Sequence, residues 1–378
     1  MLVLTLAFGV SLLLTLAVIR LSRVHAGLMH DNDLSGPQKF HTKPVPRVGG
    51  VGIVVGVVVA AVVLAPHSRE HARIALVLLL CGLPAFAAGL IEDLTKRVSP
   101  RWRLLFTAAS ALLASTVLSA TINRTAIPGL DWFVSLPAGA ALITVFAVAG
   151  VANSVNIIDG FNGLASMCVV LMLVALAYVS FQCDDPLIGN LALAGIGGVL
   201  GFFVWNFPAG LIFLGDGGAY FLGFYVAELS ILLLHRNPDE VSPLFPLLVC
   251  IYPVFETVFS IYRRRFLRAV PPSMPDGIHL HSLIYRRVMR WAVGNRSAKA
   301  MTRRNSMTSP YLWLLCMFSV VPAMLFWNNT AVLAALLALF VISYVVLYWR
   351  IVRFKSPRWL VFPASRARMA ARGDNRET

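Results

Sequence analysis

Residues 163–181 read GLASMCVVLMLVALAYVSF, nineteen residues without a charged side chain. At 1.5 Å of rise per residue, a helix of about 20 such residues crosses the hydrocarbon core of a bilayer. Working outward, ten more stretches of this kind can be drawn. The eleven run approximately over 1–19, 48–66, 74–91, 104–121, 136–152, 163–181, 188–205, 217–234, 243–262, 310–327 and 330–349. The whole chain has the same character: of 378 residues, 58% are hydrophobic and 13% charged, and the mean hydropathy is +0.78. A soluble domain carries about a quarter charged residues. This composition excludes a soluble enzyme, a disordered chain and a secreted disulfide scaffold. The expectation is an all-α polytopic membrane protein with about eleven transmembrane helices. One integral-membrane domain covers 1–352, with a cytoplasmic loop at 263–308, and a basic cytoplasmic tail covers 353–378.

The formal charge of +15 would suggest nucleic acid for a soluble protein. Here no basic module interleaved with aromatics supports that partner, and basic loops are the ordinary determinant of membrane topology. If the loops after odd-numbered stretches are cytoplasmic, 28 of the 32 Lys and Arg fall on that side. This predicts the N-terminus outside and the C-terminus inside. The first stretch has no positive residues ahead of it, and Arg20 and Arg23 follow it, so it is expected to be an uncleaved helix rather than a signal peptide. Gly52–Gly56 and Gly197–Gly201 have the GxxxG spacing of close helix packing. Cys81, Cys168, Cys183, Cys250 and Cys316 have no CxxC spacing and read as packing residues rather than disulfides or zinc ligands.

The acidic residues decide the kind of function. Only Glu228 and Glu256 fall within the apolar stretches, where hydrogen-bonded interhelical contacts are expected of them. Seven others, Asp31, Asp33, Glu92, Asp93, Asp159, Asp216 and Asp276, lie in cytoplasmic loops or at cytoplasmic helix ends. Acid chemistry gathered at one membrane face is the layout of an interfacial enzyme. Around these residues stand five polar signatures. The first, Lys39 to Gly50, carries His41, Lys43 and Arg47 into the second stretch, a setting suited to phosphate. The second, Glu92-Asp93 followed by Lys96 and Arg97, places two carboxylates side by side, which calls for a proton, a cation or a divalent metal. The third runs from Asn153 through Asn156, Asp159 and Asn162 to Ala165. Its amides and glycines suit the edge of a nucleobase or a metal-bound diphosphate. In the fourth, Asp216 stands between Gly215 and Gly217, as an N-cap or as a ligand for a hard cation such as Mg²⁺. The fifth carries His279 and His281, either a zinc pair that would want a third ligand or, with Arg286 and Arg287 nearby, a pyrophosphate clamp. Residues 284–293 read as an amphipathic helix on the inner leaflet.

With these motifs in order on one face, the chain resembles the polyprenyl-phosphate N-acetylhexosamine-1-phosphate transferases, over about residues 20–310. The resemblance implies a multi-pass enzyme of the bacterial inner membrane. A polyprenyl (undecaprenyl) phosphate would attack the β-phosphorus of a UDP-N-acetyl sugar with Mg²⁺, or Mn²⁺ in its place, starting a cell-envelope polysaccharide such as O-antigen. By position, Asp93 is the candidate base or orienting group, with Glu92 beside it and Asp216 the third catalytic carboxylate. Asp216 and Asp159 would hold the metal. Lys39, His41, Arg47, Lys96, Asn153, Asn156, Asp159, Asn162, His279 and His281 would bind substrate. A homodimer is compatible with the resemblance. Three positions depart from the family pattern: Asn162 replaces an Asp, Ser282 replaces a His, and Ala219 follows Gly218 where Ser is common. The number of apolar stretches and the short His motif favour a UDP-N-acetylhexosamine over UDP-MurNAc-pentapeptide. The alternatives are the pentapeptide transferase and, from another class, a transporter or flippase in which Glu228 and Glu256 face a shared cavity.

Overall fold

The computed structural model describes residues 1–24, 45–63, 68–267, 278–289 and 298–353. In chain order the helices are α1 (Leu2–Val24), α2 (Gly50–Val63), α3 (Arg69–Thr95), α4 (Pro100–Val117), α5 (Leu130–Val134), α6 (Pro137–Ile158), α7 (Leu164–Gln182), α8 (Pro186–Asn206), α9 (Gly215–Arg236), α10 (Leu244–Val249), α11 (Ile251–Tyr262), α12 (Leu280–Leu283), α13 (Ala298–Leu325) and α14 (Thr330–Val352). Wider turns of π type extend α11 over Arg263–Leu267 and α12 over Ile284–Val288. Each of the eleven apolar stretches overlaps a helix. Among the described residues, eight helices are long and apolar enough to cross a membrane. The protein is a multi-pass, all-helical membrane protein.

The helices are organised around α9. Every residue from Gly215 to Leu233 is buried. Helices α3 and α6 flank it, and α2, α4, α7 and α8 complete its surroundings. Small residues allow this closeness. Gly89 of α3 lies against the backbone of Gly217, Gly50 of α2 against Gly218, and Gly223 against Ala152 of α6. At the far end of α9, Arg236 donates two hydrogen bonds to Asp185, which precedes α8, at 2.6 and 3.1 Å.

The two GxxxG pairs clasp one partner. Gly52 and Gly56 face Ser11, Thr15 and Ala7 of α1, and Gly197 and Gly201 face Leu4, Phe8 and Leu12 of the same helix. The close approach lets Ser11 Oγ donate to the Gly198 carbonyl at 2.6 Å and Trp205 Nε1 to the Leu12 carbonyl at 3.1 Å. The five cysteines are unbridged, and four of them are buried.

Three expectations need correction. The stretch 243–262 is two helices, because the ring of Pro253 excludes the Val249 carbonyl from a helical bond and the chain turns at Cys250. Residues 298–308, expected in the loop, form the polar first turns of α13. The expected amphipathic helix at 284–293 does not lie on a leaflet as far as it is described: Ile284, Tyr285, Val288 and Met289 are buried within the protein. Residues 290–297 lie outside the described residues.

A methyl added at Gly201 would stand 2.5 Å from the Phe8 carbonyl oxygen and 2.8 Å from the Leu12 amide nitrogen, neighbours on one face of α1. Gly201→Val therefore lowers stability by about 1–3 kcal/mol. The readout is the thermal unfolding midpoint in detergent, compared with Gly9→Ala, whose added methyl meets nothing within 4 Å.

Candidate functional site

The N-terminus of α9 is where the site is built. A helix start leaves main-chain N–H groups without helical partners, and here the first residues of the helix are buried. Asp93, 1% exposed at the side chain and near the end of α3, fills the need. Its two oxygens accept from the Asp216 and Gly217 N–H groups, each at 3.0 Å. Gly215, at φ +79°, makes the turn into the helix beneath this carboxylate.

A short pairing of extended chain brings in the next residue. Phe213 N–H donates to the Pro46 carbonyl at 2.8 Å, Gly49 N–H to Phe213 at 3.0 Å and Gly50 N–H to Leu214 at 2.9 Å. This fixes Arg47 over the start of α9, 3.8 Å from Asp93 Oδ1 and 3.7 Å from Asp216 Oδ1. Asp216 also pairs with Arg103 of α4 and accepts from Asn156 Nδ2 of α6 at 3.1 Å. Four elements thus converge on Asp216.

In front of it lies a cavity of about 410 Å³. Arg47, Glu92, Lys96, Asn156, Asp159, Asn162, Asp216, His279 and His281 all line it. Of the residues selected from sequence, Asp93 and Asn153 do not. Asp93 sits behind Asp216, and Asn153 donates to the Ala149 carbonyl at 2.8 Å and to Thr107 Oγ1 at 3.3 Å, bracing α6 on α4. Lys39 and His41 lie outside the described residues, as does Asp276. Glu92 Oε2 accepts from the Val98 N–H at 2.7 Å and so closes the α3–α4 turn. Lys96 caps α3 in a left-handed conformation at φ 56°. Desolvation pushes the Asp159 carboxyl up to about 7; the Asp216 and Asp93 charges add to this, and Arg47 opposes it.

The α6–α7 turn that carries Asp159 is held from α13. Asn162 N–H donates to Asn305 Oδ1 at 2.8 Å, and Ser309 Oγ donates to the Asn162 carbonyl at 2.6 Å. The Asn162 amide donates to the Pro208 carbonyl and to Ser306 Oγ, both at 3.3 Å. Gly163 N–H donates to Asn206 Oδ1 at 2.6 Å. An amide at 162 can donate to a carbonyl; a carboxylate cannot. The departure from Asp therefore has a structural cause.

The sequence reading missed Arg103, Asn206 and Asn305, which line the cavity. In the sequence Arg103 reads only as a determinant of topology, because one of four basic residues near a helix start carries no mark of its partner. Asn305 and Ser309 had a signal, since a spacing of four puts two polar groups on one helix face. Neither Glu228 nor Glu256 lines the cavity in front of Asp216. Glu256 is hydrogen-bonded to the histidine segment, as expected of an interhelical contact. Neither oxygen of Glu228 has a hydrogen-bond partner among the described residues, which corrects the expectation for that residue.

The family described as Glycosyl transferase family 4 matches residues 75–234. A probable undecaprenyl-phosphate N-acetylglucosaminyl 1-phosphate transferase of Bacillus subtilis (strain 168) is 31% identical over 290 residues, 77% of this chain and 78% of that protein. The chain belongs to glycosyl transferase family 4. An undecaprenyl-phosphate alpha-N-acetylglucosaminyl 1-phosphate transferase of Thermotoga maritima is 28% identical over 262 residues, 68% of this chain and 74% of the other. A phospho-N-acetylmuramoyl-pentapeptide-transferase of Streptococcus pneumoniae (strain CGSP14) is 30% identical over 230 residues, 58% and 67% of the two chains. The family 4 match covers Glu92, Asp93, Asn156, Asp159 and Asp216 and ends before Glu256, the two histidines and Asn305.

In this family 4 member, Asn162→Asp turns a carboxylate oxygen toward the Pro208 carbonyl. The expected result is a loss of about 1–3 kcal/mol of stability, read as a lower unfolding midpoint, with Asn162→Ser losing less.

Proposed function

We propose that this family 4 member transfers an N-acetylhexosamine 1-phosphate from a UDP-sugar to polyprenyl phosphate. An oxygen of the lipid phosphate bonds to the β-phosphorus, and the bond from that phosphorus to the bridging oxygen breaks. UMP leaves, and a polyprenyl-pyrophosphoryl sugar forms. One observation carries the reading: Arg47, Lys96 and Arg103 meet the carboxylates Asp159 and Asp216 in one cavity, at the N-terminus of a buried helix. Such a place takes a diphosphate, through its cationic side chains.

Phosphoryl transfer asks a protein chiefly for positioning and charge stabilisation. Asp93, buried and doubly hydrogen-bonded, suits the orienting role better than that of a base: it sets the start of α9 and so the place of Asp216. Asn156 orients Asp216 from the side. Arg47 and Lys96 are assigned to the phosphates, and His279 and His281 to the far wall of the cavity.

The donor set fits Mg²⁺. Of the carboxylates that line the cavity, Asp159 and Asp216 stand close enough for the Asp216 charge to raise the Asp159 carboxyl. Among the described residues no group of three or more His, Cys, Asp and Glu is arranged to hold a metal. A cation shared between one or two carboxylates and substrate phosphates is typical of Mg²⁺, not of structural zinc. When bound, it would neutralise diphosphate charge.

The two N-acetylglucosaminyl 1-phosphate transferases align over more of the chain than the pentapeptide transferase does. This supports a UDP-N-acetylhexosamine as donor. The charge bias supports an odd number of crossings, the N-terminus outside, the C-terminus inside and the cavity on the cytoplasmic face of the membrane.

The test is an assay in vesicles with undecaprenyl phosphate, Mg²⁺ and a panel of UDP-N-acetyl sugars. UMP and a lipid-linked sugar are expected from UDP-GlcNAc or a close relative. Asp216→Asn lowers turnover by at least about a hundredfold, and a chelator abolishes it until Mg²⁺ is restored. Well-folded protein that releases no UMP from any UDP-sugar, UDP-MurNAc-pentapeptide included, would overturn the reading.

A further inference from the structure

Glu256 of α11 is 2% exposed, and each of its oxygens is engaged. Oε1 lies 2.9 Å from His279 Nδ1 and accepts from the Leu280 N–H at 3.1 Å. Oε2 accepts from the Tyr344 hydroxyl at 2.6 Å. Tyr344 belongs to α14, the last helix, and is fully buried. One turn further along α14, the Tyr348 hydroxyl donates to the Ile278 carbonyl at 3.2 Å, and Arg263 Nη1 donates to the same carbonyl at 2.9 Å. The three residues 278–280 are therefore fixed by α11 and its extension on one side and α14 on the other. His279 stacks on His281 with ring centres 5.1 Å apart, and both rings line the cavity.

A carboxylate only accepts hydrogen bonds, so the His279 nitrogen facing Glu256 is the one that carries the proton. We propose that Glu256, braced by Tyr344, is a positioning residue that holds His279 in its Nδ1–H form and presents the ring's Nε2 side to the cavity. The proposal rests on the transfer reaction above, with His279 as a group that meets substrate. It makes α14, which lies beyond the stretch matched by the family, part of the machinery of the site. A carboxylate behind a working imidazole fixes both ring orientation and tautomer. Tyr344 in turn satisfies the oxygen that His279 and Leu280 leave over. Without that hydroxyl, Glu256 would hold a buried, unpaired lone pair and would be free to turn.

The experiment uses the full chain in nanodiscs, with Glu256→Gln, Tyr344→Phe, His279→Gln and the double variant Glu256→Gln/His279→Gln. Glu256→Gln keeps the shape and removes the charge. It lowers kcat by about tenfold to a hundredfold, while KM for the UDP-sugar moves by less than about twofold. Tyr344→Phe lowers kcat in the same sense, by a smaller factor. In the His279→Gln background, adding Glu256→Gln costs less than a further twofold or so, because residues that act as a unit are non-additive. Losses that multiply in the double variant, or an unchanged kcat in Glu256→Gln, would overturn the proposal. A separate readout does not depend on turnover. In ¹⁵N-histidine-labelled protein, the His279 signal reports an Nδ1-protonated ring and shifts in Glu256→Gln. A signal that is the same in both proteins rejects the pairing. No turnover by the wild-type protein, with the ¹⁵N shift present, rejects the reaction and keeps the pairing.

Discussion

The carboxylate of Asp93 against the first N–H groups of α9 is the contact on which the rest depends. A helix buried from Gly215 to Leu233 cannot leave its N-terminal donors to water. Those donors must find an acceptor within the protein, and an unsatisfied group there costs several kcal/mol in an apolar setting. Asp93 supplies both acceptors at once. Once that charge is buried, it needs cations nearby, and Arg47 answers it. Arg47 is in turn held by the pairing of its own segment with residues 213 and 214. The site therefore follows from burying a helix end.

The same constraint explains the glycines. Close packing on all sides of α9 needs positions where backbone can meet backbone, and Gly50, Gly89, Gly217, Gly218 and Gly223 provide them. In a bilayer, where apolar lipid competes with apolar side chains, contact of this kind rather than hydrophobic burial holds helices together. Helix α1 is held by the same device, between the two GxxxG pairs. The polar residues then divide into two sets. One points into the cavity. The other, with Asn153 and Ser309, ties helix ends and turns together so that the first set stays in place, and Asn162 and Asn206, which line the cavity, do both.

Much of this is legible in the sequence. The class of fold lies in eleven apolar stretches, and the chemistry lies in carboxylates and amides confined to their ends. The glycine spacings announced close helix packing, though not that α1 is the partner of both pairs. What could not be read is which polar residue serves substrate and which serves the fold. Asn153 and Asn162 stand in the same motif as Asn156 and Asp159, yet their side chains are bound to other parts of the chain. Helical periodicity alone could not assign Asn305, because a polar run next to an apolar stretch reads as loop. Its polar face meets a turn rather than water.

The sequence by itself determined that the chain is a helical membrane protein with its acidic groups gathered at helix ends, because the cost of burying charge in lipid is a property of each residue. Only the tertiary structure decided that Asp93 stands behind Asp216, that Arg103 reaches it from α4, and that Glu256 and Tyr344 hold His279. Those residues come from helices far apart in the chain. Their meeting depends on how closely the helices approach, and that distance is set by the packing of small residues at several interfaces together.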